Sequence, residues 1–320
     1  MINSKITEML NIKYPIIGGA MMWISTEEFV AAISNAGGLG ILASAIYQTK
    51  NEFTQAIDKL QELTDKPFAV NINLFPAMRN IDNNEYIDVL IEKGVKIVET
   101  SGHSAPADLC KRFKDAGMTW IHKCVGIRYA LKVQKMGADI VTVVGYENGG
   151  ATGKLDVGTM VLVPSVVDAL DIPVIGGGGV SDGRGIMAIL SLGASAIIMG
   201  TRLLATKECP LHDKLKHALI GATETDTMLI MRSLEATHRV WANAAANKCA
   251  QIESGNADLE DILSIVNGKK AKKMFDEGDI DLGVISCGQG IGLAHDLPGI
   301  KELFDRVMDE AEHIKNSLFK

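Results

Sequence analysis

An α/β fold of the (β/α)8 TIM-barrel type, with a helical insertion capping its mouth, is predicted from three features of this chain. Eight short apolar runs close on Gly or a small polar residue, amphipathic stretches separate them, and glycines cluster after the last few. The runs are YPIIGG from Tyr14, LGILAS from Leu39, FAVNINL from Phe68, VKIVETSG from Val95, WIHKCVG from Trp120, IVTVVGYENGG from Ile140, PVIGGGGVSDG from Pro173 and AIIMGTR from Ala196. They are β-branched and nearly continuous rather than alternating, as parallel strands are when both faces are covered. Between them TEEFVAAISNAGG, TQAIDKLQELTD, PADLCKRFKDAG, IRYALKVQKMGAD and GRGIMAILSLGA carry apolar residues three and four apart, the helical spacing. Eight strand–helix units close a barrel. An open doubly wound sheet would gather its useful side chains at one crevice, whereas here they sit at the ends of many strands.

The remaining elements follow in order. Of 320 residues, about 250 make a typical barrel, so the first unit is expected over residues 1–211. From His212 to about Asp281 the chain turns rich in Ala, Leu, Lys and Glu, with breaks at Gly221, Gly255, Gly268 and Gly278. That segment, 212–281, reads as a helical cap. Residues 282–320 then hold GVISCGQGIGLA, too glycine-rich for a helix interior at about 1 kcal/mol per Gly. It is expected as a loop returning to the mouth. Ile300, Leu303, Phe304, Val307, Met308 and Ala311 keep helical register, predicting the final barrel helix.

Composition excludes several function classes. With 32 basic and 39 acidic residues the net charge is −7, and no dense Lys/Arg block offers a footprint for nucleic acid. No apolar run approaches the twenty or so residues that cross a bilayer, so no membrane partner is expected. Five widely spaced cysteines without a C-x-x-C pair, and an opening interrupted by Asn3, Lys5 and Glu8, fit a cytoplasmic protein. No metal site is expected.

The chemistry should sit at the carboxyl ends of the runs. In PVIGGGGVSDGRG, Gly177, Gly178 and Gly179 lack the Cβ that would stop a backbone turning several N–H groups toward an anion. A helix starting near Asp182 is expected to add its positive end. Gly200 and Thr201 end the next run, and two adjacent clusters there favour a phosphate over a mere tight turn. GGAMMW offers Ala20 and Met21 to a flat polarizable ring. Asn71 and Asn73 share one face, and only one of His122 and Lys123 can face inward. Together these describe a flavin pocket better than a sugar-phosphate pocket.

Across ITEMLNIKYPIIGGAMMW, NAGGLGILAS, DKPFAVNINL, WIHKC, GYENGGATGK, IPVIGGGGVSDGRG, GASAIIMGTRLLATKE and CGQGIG the chain closely resembles the nitronate monooxygenases (2-nitropropane dioxygenases) and their relatives. Those relatives include the FMN-dependent enoyl-ACP reductases and NADH:quinone reductases. The resemblance implies a non-covalent FMN, with Ala20 and Met21 beside its ring and Asn73 and Lys123 as polar contacts. It places Gly149 and Gly150 near the ring edge and Gly177, Gly178, Gly179, Gly200 and Thr201 around the phosphate. The returning loop would bring Gly288 and Gln289 to the flavin, and NADH or NADPH would donate electrons. Relatives carry a histidine after the paired glycines; this chain has Ala151.

His103, Tyr146 and Glu147 are the candidate catalytic replacements, Glu147 having pairing with a cation such as Lys154 as its alternative. His238 and Arg239 read as members of the helical cap. The expected function is NAD(P)H-linked oxidation of nitronates or a similar anion, since an ionised nitronate needs no proton abstraction. Reduction of an enoyl-ACP or enoyl-CoA thioester, or of a quinone, is the alternative, with acyl carrier protein or CoA thioester as partner. A non-redox isomerase or lyase barrel and a flavin-binding protein without turnover stand as readings of another class. Oligomeric state, including a homodimer, is left open.

Overall fold

The computed structural model describes residues 2–74, 82–102, 107–255 and 259–318. Each predicted run holds most or all of a parallel strand: β1 (Ile16–Gly18), β2 (Gly40–Ala43), β3 (Phe68–Asn73), β4 (Ile97–Ser101), β5 (Thr119–Cys124) and β6 (Ile140–Val144). A two-residue strand β7 (Gly150–Ala151) precedes β8 (Val174–Gly177) and β9 (Ala196–Met199). The order is β1-β9-β8-β6-β5-β4-β3-β2. A parallel bridge between Ile17 and Leu39, with the Gly18 N–H donating to Leu39 O at 2.9 Å, joins the two end strands and closes the (β/α)8 barrel.

Strand alternation divides the core in two. Inward residues Ile17, Ile41, Ala69, Ile97, Ile121, Ile140, Ile175 and Ala196 fill the barrel, and helix Lys5–Leu10 plugs its base with Ile6 and Leu10. Outward residues such as Val70, Val98, Trp120 and Val141 meet Phe29, Phe53, Phe113, Val163 and Ile186 of the helices. Each such side chain, fully buried, stabilises the fold by about 1.5–3 kcal/mol. Helix Ile300–Leu318 packs on helices Gly183–Ser191 and Glu27–Asn35, filling the place expected of a last barrel helix.

Segment 212–281 departs from the all-helical expectation. Besides helices Asp213–Ile220, Ala244–Glu253, Leu259–Ile265 and Gly268–Glu277 it holds strands β10 (Thr227–Ile230) and β11 (His238–Trp241). These pair antiparallel, and β11 also pairs with β7 on the barrel rim, setting His238 opposite Ala151 and Arg239 opposite Gly150. His238 and Arg239 are therefore strand residues, not helical ones. The reason is hydrogen bonding: the glycine-rich rim loop would leave backbone groups unpaired, and β11 supplies their partners. Ile230, Val240, Ala246, Cys249, Ile262 and Ile265 give this segment its own small core.

Candidate active site

Above the apolar plug the inward positions turn polar, and strand register stacks them in rungs. Asn71 and Glu99 are neighbours on β3 and β4; one rung nearer the mouth lie Asn73, Ser101, Lys123 and Thr142. Asn71 Nδ2 donates to Glu99 Oε2 at 2.6 Å and lies 3.2 Å from Ser101 Oγ. Glu99 is completely buried, and burial raises its pKa against the opposing pull of Lys123 and Asn71. Glu99 Oε1 and Thr142 Oγ1 have no hydrogen-bond partner among the described residues. Lys123 is half-buried, and its charge acts on the Glu99 carboxyl and on His238. His122 faces the other way, its Nδ1 2.7 Å from Thr100 Oγ1, and burial pushes its pKa down to about 4. So Lys123, not His122, is the inward member of the pair.

The rim after β8 turns through left-handed backbone, with φ of +108° at Gly178 and +76° at Gly179. Only glycine adopts such angles without strain. The N–H groups of Gly178, Gly179 and Val180 donate to no described residue. Gly177 lets β9 approach, since a Cβ there would lie 2.3 Å from Ile198 Cγ2. Gly200 opens onto free space whose nearest atom is Met21 Sδ, 3.9 Å from a would-be Cβ, and Ala20 lies half-buried beside it in sequence. The Thr201 hydroxyl accepts the Gly288 N–H at 2.8 Å, so it anchors the returning loop. One expectation is corrected here. The helix after this rim does not present a free positive end, because Glu310 accepts the Gly183 N–H at 2.8 Å and Asp182 accepts the Gly185 N–H at 3.1 Å.

The segment after Asp281 meets the loop after β6 and the rim after β8. The Gln289 N–H donates to Glu147 O at 2.9 Å and Ser181 Oγ donates to Gly290 O at 2.7 Å. Of the catalytic candidates, His103 lies outside the described residues. The Glu147 carboxylate accepts the Thr159 N–H at 3.0 Å and the Thr159 hydroxyl at 2.7 Å, so it caps helix Thr159–Ala169, while Lys154 pairs with Glu235 instead. Tyr146 lies under the Arg239 guanidinium, 4.4 Å from its ring centroid, and its carbonyl accepts from Arg239 Nε at 3.1 Å. Arg239 is buried, with Nη2 unpartnered among the described residues. Opposite Ala151, the Nε2 of His238 lies 2.9 Å from Ser286 Oγ. Burial, with a contribution from the charge of Lys123, lowers the His238 pKa to about 4.

Sequence reasoning missed Glu99 and Ser286 and set His238 aside. Alternation along VKIVETSG could have flagged Glu99 as inward, because Ile97 two residues before it is a core position. Nothing local announces the pairing of His238 with residue 151.

Unspent rim amides, an inward cation and orphaned buried oxygens near it form a donor set that fits FMN: amides for its phosphate, polar groups for its ring. The fold and rim together define a barrel that binds a phosphate-bearing cofactor. The chain matches the nitronate monooxygenase family over residues 3–310 and belongs to that family. It is 34% identical to a (3aS,4S,5R,7aS)-5-hydroxy-7a-methyl-1-oxo-octahydro-1H-indene-4-carboxyl-CoA dehydrogenase of Rhodococcus jostii, covering 97% of this chain and 96% of that one. FabK from Thermotoga maritima superposes with a TM-score of 0.92 at 32% identity, over 99% of each chain. Nitroalkane oxidase from Streptomyces ansochromogenes gives 0.85 at 25% identity, over 98% of this chain and 99% of that one. The chain is thus an FMN-dependent oxidoreductase, with NAD(P)H as the usual electron donor of its family. No helix among the described residues is long and apolar enough to cross a membrane.

Proposed function

We propose that the chain oxidises or reduces an acyl thioester, carried by CoA or acyl carrier protein, next to its carbonyl. The observation that carries this reading is the likeness, over nearly the whole of both chains, to an enzyme that acts on a carboxyl-CoA. FMN, when bound, supplies the two-electron chemistry. Gly177, Gly178, Gly179 and Gly200 would hold its phosphate, with Thr201 tying the returning loop to that rim. Lys123 and Asn73 would meet its polar edge, Ala20 and Met21 its face, and Gly149, Gly150 and Gln289 its far side. Lys123 favours negative charge on whatever lies over it, because its charge already pulls on the buried Glu99 carboxyl and a low-dielectric site strengthens such attraction. Segments 212–281 and 282–320 close the mouth over residues 1–211 and keep bulk water from the reacting atoms. Five unpaired, buried cysteines support a cytoplasmic setting.

Nitronate oxidation is the second reading, favoured by the family itself. Anaerobic bleaching of the flavin band by NADH or NADPH, followed by mixing with crotonyl-CoA, a nitronate or a quinone, separates them. Recovery of the yellow colour fastest with crotonyl-CoA is expected. Recovery with the nitronate or the quinone alone would overturn the thioester reading.

A further inference from the structure

We propose that His238, working through the Ser286 hydroxyl, is the group that accepts a proton from the substrate carbon. The substrate class rests on the thioester reading above; the role of the residue does not. Residues directly opposite in an antiparallel pair project their side chains to the same face, about 4.5–5.5 Å apart. His238 therefore stands over the small methyl of Ala151, where β7 leaves room for its ring. Its Nε2 lies 2.9 Å from Ser286 Oγ and 3.8 Å from where a Cβ on Gly150 would be. Ser286 is exposed and His238 half-buried, so the hydroxyl is the more accessible of the two. Facing His238 are Lys123 from β5 and Ser286 from the returning segment; its pair partners Ala151 and Ile230 carry no charge.

The step balances without an oxidant. The C–H bond next to the thioester carbonyl breaks, its electron pair passing into the carbonyl as an enolate. Its proton bonds to Ser286 Oγ, which releases its own proton to His238 Nε2. The imidazole is neutral at pH 7, and the step uses the tautomer whose Nε2 lone pair faces Ser286 Oγ. Burial is the main cause that disfavours imidazolium in the free protein, and the lesser part, repulsion from Lys123, is offset when negative charge develops beside that ammonium. The acceptor thus gains strength at the moment it is used.

The test is exchange of the α-hydrogens of butyryl-CoA in D2O, catalysed by the FMN-loaded protein without nicotinamide or electron acceptor and followed by mass spectrometry. A second reading uses nitroethane. The expected result is exchange that falls at least 30-fold in His238→Gln and at least fivefold in Ser286→Ala. Exchange should recover at least tenfold when Ala151→His is added to His238→Ala, which returns an imidazole from the opposite strand. In flavin-free protein, NMR titration of His238 should give a midpoint below the ordinary histidine range, raised by Lys123→Met. Exchange in His238→Gln within threefold of the parent, exchange of neither carbon acid, or a His238 midpoint unmoved by Lys123→Met would overturn the proposal. Should His238→Gln lose its flavin, Ser286→Ala decides by the same criterion. Exchange of nitroethane alone, still dependent on His238, would overturn the thioester reading and sustain the residue's role.

Discussion

Gly149 and Gly288 meet backbone to backbone: a Cβ on Gly149 would lie 2.6 Å from the amide nitrogen of Gly288. This contact, with the Gln289 N–H on Glu147 O at 2.9 Å, seats the returning loop across the barrel mouth. No flexible side chain can yield there, because both surfaces are main chain. Gly149→Ala is therefore expected to push the loop off the rim, costing about 1–3 kcal/mol as overpacking does. Thermal melts followed by flavin fluorescence should show a lowered midpoint and early FMN release. An unchanged melt would mean the loop is not seated as described.

Gly179 offers a cleaner probe of the rim proposed to hold the phosphate. Its φ is +76°, yet a Cβ there meets nothing closer than Glu147 Cβ at 3.6 Å. Gly179→Ala then carries only the left-handed backbone cost, roughly 1–2 kcal/mol. The variant should fold and bind FMN at least tenfold more weakly, read by equilibrium dialysis. Affinity equal to the parent would remove the rim from the phosphate site.

Glu147 was a candidate proton carrier and is instead a helix cap. Glu147→Ala removes the acceptor of the Thr159 N–H and hydroxyl, and loss of a cap costs about 1 kcal/mol. Stability to urea should fall while turnover per bound flavin stays within threefold. Lost turnover at unchanged stability would restore the catalytic role.

Acid should destabilise the fold through His122. Burial holds its folded pKa at about 4, below the ordinary histidine value of 6.5. Between these values the unfolded chain binds a proton that the folded chain refuses, so stability is complete above pH 6.5 and falls as pH drops toward 4. For this fully buried ring the loss is about 3 kcal/mol. Urea midpoints at pH 7, 6, 5 and 4 should decline over that window, and His122→Phe should flatten the decline. A slope unchanged in that variant would place the proton elsewhere.

The barrel was legible because its information is local. Each strand is a β-branched run buried on both faces, and each helix keeps its apolar residues in register, so Ile16–Gly18 through Ala196–Met199 could be read one unit at a time. The glycine turn after β8 was legible for the same reason: Gly178 and Gly179 take up the left-handed backbone that such a cluster announces. The cap was not. TMLI and HRVW are too short to show a period, and they become strands only by pairing with each other and with Gly150–Ala151 nearly ninety residues earlier. Glu147 was misread because its partner, Thr159, becomes a helix start only once the loop between them folds. The positive end of the helix after Asp182 was misread because Glu310, far along the chain, already occupies it.

The central claim, that rim amides at Gly178, Gly179 and Val180 grip the phosphate of FMN, is tested most directly by titrating flavin-free protein with FMN and with riboflavin, which lacks the phosphate. Hydrogen bonds to a charged group contribute about 1.5–3 kcal/mol each. FMN should therefore bind at one per chain and at least about 100-fold tighter than riboflavin. Equal affinity for the two, or no binding of either, would contradict the account.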